Sequence, residues 1–241
     1  MREFSIFIQS IEKTVFHDKK YPIKILTDFP GSSKIPELEQ ITDGNLKLVS
    51  ETKEFRQFKI NLEYHRRKSG ISDKSHIEEG KFEVWQHKNG FCVSIDSIRA
   101  HSKVAAAFLS VVMFDELRAV RLLEMDLNRY MALKQHAIEL GGNVNMFHLK
   151  KVKSENLNLN VFQVHGKDVA KMDVDGMLKS AKIIKRVGFF IPDLVGEYYQ
   201  FWIADWGGGA MYRPTDFLPH QVSGLLDFFE EALIPNRIKK R

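Results

Sequence analysis

A chain of 241 residues with 44% hydrophobic residues has enough apolar material to bury a core without disulfides or metals. The one cysteine, Cys92, excludes an intrachain disulfide framework and points to a reducing compartment, the cytoplasm or, in a eukaryotic cell, the nucleus. A net charge of +5 favours polyanions weakly, while 28% charged residues is close to the roughly 25% of ordinary soluble domains.

Glu3 and Glu12 interrupt the apolar N-terminus and no small-residue cleavage site follows, so it is not read as a signal peptide. The apolar run from Val104 ends at Asp115 and Glu116, well short of the roughly 20 residues that span a bilayer. Phe4, Phe7, Ile8, Ile11 and Val15 recur at helical spacing, which predicts an amphipathic helix over 2–16. A short strand at Ile23 to Leu26 and a loop around Phe29 to Pro36 follow.

From Leu46 to Tyr64 the pattern is strand-like, with Phe58, Ile60 and Leu62 alternating against Lys59, Asn61 and Glu63. His65 to Glu79 reads as a long polar loop, and Lys81 to Asp96 as a hairpin turning at Asn89-Gly90. Helices are predicted over 102–114 and 115–140, the second on the stripe Leu117, Val120, Leu123, Leu127, Tyr130 and Ile138. Strands at Val144 to Val152 and Leu157 to His165 precede a helix over 176–189. A hairpin around Gly207-Gly208-Gly209 and a last helix over 220–233 complete the chain before a basic tail.

This order predicts a single α+β domain over 1–241 with a looser portion over 1–80. Its sheet is expected to be mixed and mainly antiparallel, with packed helices. The intervals from Gly90 to His101 and from Gly209 to His220 are equal, but few residues between them match. A repeated hairpin-helix unit therefore stands against coincidence.

No residue pattern specifies catalysis. Gly207 to Gly209 lack the helix and Gly-Lys-Ser/Thr of a phosphate loop. Gly31-Ser32-Ser33 with Asp43 resembles part of a nucleotidyl transferase pattern, but Asn45 stands where the second carboxylate belongs. Asp173-Val174-Asp175-Gly176 resembles the centre of a calcium loop, yet Lys171 and Lys182 occupy ligand positions, so these aspartates read as caps of the following helix. No zinc-spaced histidine pair accompanies Cys92, and strand pairing is expected to hold His148 and His165 roughly 13 Å apart. No cofactor or metal is implied.

What remains is positive charge in clusters. Arg66, Arg67 and Lys68 open the long loop; Lys150, Lys151 and Lys153 end a strand; Arg237, Lys239, Lys240 and Arg241 form the tail. Lys179, Lys182 and Arg186 share a helical face by i, i+3, i+7 spacing. Converging, these residues would bind phosphates, and Trp85, Trp202, Trp206 or Tyr212 would stack on bases. The leading expectation is a non-enzymatic binding module for nucleic acid or a nucleic-acid-associated complex. The alternatives are a protein-interaction subunit facing an acidic partner and a metal-dependent phosphoryl-transfer enzyme.

Overall fold

Alternating apolar and polar residues become antiparallel ladders in the structure, a computed structural model that describes residues 2–9, 19–22, 26, 29–53, 55–66, 76–87, 92–97, 99–154, 157–166, 169, 172–192, 198–212 and 219–233. The chain divides into two compact units, Ser5–Leu122 and Leu123–Arg241, the second taking in Met1–Phe4. Each is α+β, and every ladder in either is antiparallel.

In the first unit the sheet runs β2 (Lys19–Pro22), β3 (Ile41–Glu51), β4 (Phe55–Arg66), β5 (His76–His87), β6 (Cys92–Ile95), β1 (Arg2–Gln9). The short β7 (Val120–Leu122) pairs with β1. Leu46, Ile60 and Phe82 form one cross-strand row, and Leu48, Phe58, Val84 and Ile95 the next. α2 (Arg99–Phe114) lays Val104, Phe108, Leu109 and Val112 into that core, with the short α1 (Pro36–Glu39) contributing Leu38. A Cβ at Gly44 would lie 2.4 Å from the Phe108 ring, so glycine is what lets the helix approach β3.

In the second unit the order is β12 (Gly208–Met211), β11 (Tyr198–Ala204), β10 (Ala181–Pro192), β8 (Asn143–Ser154), β9 (Leu157–His165). Three helices accompany these strands: α3 (Leu127–Glu139), α4 (Val174–Ser180) and α5 (Pro219–Leu233). Phe147, Val187 and Ile203 align across three strands, as do Val144, Phe189 and Phe201. Against this face α5 packs Phe228 and Phe229, with Phe228 edge-on to Phe201 at 5.6 Å. Tyr130, Leu133 and Ala137 are the buried stripe of α3. Lys134 of α3 pairs with Asp175 of α4, which keeps α4 on the same side.

Several sequence-based elements differ. The N-terminal segment expected as a helix over 2–16 is strand β1 up to Gln9. Phe4, Ser5, Ile6 and Phe7 are all buried, so both strand faces are apolar and the period of two is blurred. The helix expected over 115–140 is three pieces, because Asp115 and Arg118 adopt positive φ and Val120 to Leu122 join β1. Only at Asp126, whose carboxylate accepts the Arg129 N–H, does α3 begin. The helix expected over 176–189 is a seven-residue turn capped by Asp173, followed by strand β10. Two bulges in the β10–β8 ladder shift its apolar residues off strict alternation and mimic helical spacing. The expected strand at Ile23 to Leu26 lies largely outside the described residues, the observed strand nearby being β2. β4 and β5 take up both ends of the expected long loop, whose residues 67–75 lie outside the description.

Leu133 is fully buried, so Leu133→Ala should lower unfolding stability by about 2 to 5 kcal/mol in urea titrations. Tyr130 is equally buried, but its hydroxyl has no hydrogen-bond partner among the described residues. Burial, and then the nearby Asp205 charge, push its pKa far up and keep it neutral. Tyr130→Phe, which removes an unsatisfied polar atom, should leave stability unchanged or raise it. A loss above about 1 kcal/mol would show that the hydroxyl is in fact satisfied.

Candidate nucleic-acid interface

Charge is distributed differently among the strands of the two units. The strands β8 to β12 carry Lys150, Lys151, Lys153, Lys182, Lys185 and Arg186, and not one Asp or Glu. In the first unit, by contrast, β3 to β5 mix Lys47, Lys59 and Lys81 with Asp43, Glu63 and Glu79. Lys185 is neutralised by Asp205 at 2.7 Å. Lys150 and Arg186 have no ion-pair partner among the described residues.

Alternation decides which side of the second sheet these groups occupy. Since Phe147, Val187, Phe201 and Ile203 point at the helices, their neighbours in sequence point away, onto a face that carries no helix of this unit among the described residues. One outward row is Gln163, His148, Arg186 and Ala204. The adjacent row is His165, Met146, Gly188, Trp202 and Ala210. Lys150 pairs with Ile183 and Val161 on the other side of the His148 row. Beyond Trp202, Gln200 and Phe190 face one another.

The side chains in these rows touch. The Arg186 guanidinium lies 4.8 Å from the centre of the Trp202 ring, a cation–π contact that joins the charged row to the aromatic one. Phe190 and Tyr198 stack at 4.4 Å with planes 9° apart. Tyr198 and Tyr212 are 47% and 45% exposed. Trp206 folds over Gly208, where any Cβ would fall inside the indole. The face therefore has a basic end, Lys150, His148 and Arg186, that passes through Trp202 into an aromatic end.

Of the residues singled out from sequence, Lys150 and Arg186 meet on this face. Lys151, at φ 52, and Lys153 are exposed beyond it on β8. Lys179 is exposed on α4 and Lys182 on β10, so the helical relation of Lys179, Lys182 and Arg186 does not exist; a bulge at Lys185 separates the last two. Arg66 ends β4, while Arg67, Lys68, Arg237, Lys239, Lys240 and Arg241 lie outside the described residues. Trp85 is buried at 5% exposure and offers no platform.

His148 and His165 are closer than strand counting placed them. His165 pairs with Met146, so the two histidines lie on the same face one pleat repeat apart, about 7 Å along the strands. Sequence reasoning also passed over Phe190 and Tyr198. The alternation of Tyr198, Gln200 and Trp202 against Tyr199, Phe201 and Ile203 was the signal that could have placed them outside.

Carboxylates are arranged less suggestively. Asp43, Glu63 and Glu79 align across three strands along a shallow groove of about 260 Å³, and Asp43 accepts the N–H of its neighbour Gly44. Among the described residues no group of three His, Cys, Asp or Glu side chains is placed to hold a metal ion. None of the helices described is long and apolar enough to cross a membrane. No known family model matches the chain, and no curated protein is similar to it in sequence.

Partial burial lowers the pKa of His148, and the positive charges of Arg186, Lys150 and Lys185 lower it further. Arg186→Ala should therefore move the His148 titration up toward the ordinary imidazole range, read from its ring proton shifts by NMR. The sign for folding follows. The unfolded chain binds this proton at a higher pH than the folded one, so the site loses stability as pH falls through about 6.5. An unmoved titration in Arg186→Ala would show that the guanidinium does not face His148.

Proposed function

We propose that this protein is a non-enzymatic module that binds nucleic acid, with the helix-free face of the second unit's strands as its contact surface. What supports the reading is one observation: five adjacent strands hold six cations and no carboxylate, and the outward rows of those strands also carry aromatic rings. Lys150 and Arg186, unopposed by carboxylates, suit phosphate oxygens, and the planar guanidinium suits them in a forked geometry. Phosphate contacts of this kind supply affinity by releasing condensed counterions.

The other basic clusters enter as auxiliary arms. Arg66, Arg67 and Lys68 would extend the contact from a loop, and the tail from Arg237 to Arg241 from the chain end. Both are proposals from sequence.

The test is oligonucleotide affinity measured by fluorescence anisotropy over a range of salt. Replacing Lys150 and Arg186 together by Ala should lower the log–log salt slope by about 1.4 to 1.8, at roughly 0.7 to 0.9 for each phosphate contact. Replacing Arg66, Arg67 and Lys68, or ending the chain at Pro235, apportions the rest. If no oligonucleotide binds with salt-dependent affinity, the reading fails and an acidic protein partner takes its place.

A further inference from the structure

We infer that the nucleic acid taken by this face is single-stranded, its bases stacking on Trp202, Tyr212 and the Phe190–Tyr198 pair while Lys150 and Arg186 hold its phosphates. This rests on the nucleic-acid reading above and narrows it to one class of ligand. The platform is built from side chains standing on strands, and among the described residues no helix lies on that face to enter a major groove. Flat aromatic rings gain nothing from a duplex, whose bases are already stacked on one another. A single strand offers every base a free face, which makes stacking tolerant of sequence.

Spacing agrees with this. The outward rings of β11, Tyr198 and Trp202, are four residues apart, about 13 Å and roughly four times the 3.4 Å rise per base within a stacked strand. A strand that meets these rings must be unstacked and extended. Phe190 already covers one side of Tyr198, so a base laid on its exposed side continues an existing stack. At the other end the Arg186 guanidinium lies 4.8 Å from the centre of the Trp202 ring, so a base that reaches this indole has a cation beside it for its phosphate. Charge commits the face to a polyanion, since its strands carry no carboxylate that would repel one.

Three labelled probes separate the possibilities with the full chain: an oligothymidine of about 20 nucleotides, a duplex of equal length, and an abasic single strand with the same phosphates. Oligothymidine should bind at least about tenfold tighter than either of the others, because each stacked base is worth that order of affinity. Tyr198→Ala and Tyr212→Ala remove exposed rings without touching the core, and each should weaken oligothymidine while leaving the abasic strand unchanged. Trp202→Ala should do the same, and Trp202→Phe should restore most of the loss. If the duplex or abasic strand binds as well as oligothymidine, while Lys150→Ala and Arg186→Ala still weaken it, the single-strand inference falls and the nucleic-acid reading stands. If none of the three probes binds, both fall.

Discussion

The aromatic packing of Phe189 and Phe201 against Phe228 and Phe229 is the constraint from which the second unit's surface follows. A strand has only two faces, and a residue committed to one sends its neighbours to the other. Once α5 covers Phe201, its neighbours by alternation, Tyr198, Gln200 and Trp202, must face away. Once Val187 and Phe189 are buried, Arg186, Gly188 and Phe190 must do so too. The basic and aromatic rows are therefore a by-product of core formation. Within them Arg186 packs on Trp202 and Phe190 on Tyr198.

The bulge at Lys185 gives this logic its phase. Ile184 pairs with Leu149 and Arg186 with His148, so one extra residue lies between them on β10. Without it, strict alternation would put Arg186 on the same side as Ile184. The extra residue is itself a lysine, and Asp205, in the turn before β12, neutralises it while its backbone N–H bonds to the Lys185 carbonyl. Bulges re-aim side chains at small cost to a ladder, and this one sets a guanidinium over an indole.

Much of the α+β architecture was legible. Strict alternation over Phe58 to Glu63 and the turn signal at Gly207 to Gly209 located strand pairs that the structure contains; β5 and β6 also pair, while Asn89-Gly90 between them lies outside the described residues. The apolar stripes after Ser102 and His220 located α2 and α5. Failures fell where two patterns overlap. β1 is apolar on both faces, β10 is bulged, and the stripe through Leu117, Val120 and Leu123 runs across a turn and a strand. The candidate site was half legible. Lys150 and Arg186 are visible as basic residues, but their meeting depends on β8 pairing with β10 rather than on any local spacing. Trp85 and Trp202 both read as strand tryptophans, and only their surroundings, which bury the first and half-bury the second, tell them apart.

The absence of carboxylates from the second sheet bears on more than ligand choice. Its order ends at β9, nine residues without Lys, Arg, Asp, Glu or Pro, with Val161 54% exposed. An outermost strand of that composition lacks the usual protections against pairing with another copy. Among the described residues, the charges on the neighbouring strand are Lys150, Lys151 and Lys153, all of one sign. Mutual repulsion between like sheets then keeps such edges apart, and it weakens under the same salt that screens a polyanion. The lysines of β8 thus bear on self-association as well as on the proposed contact, and a variant that loses them would also lose what holds like edges apart.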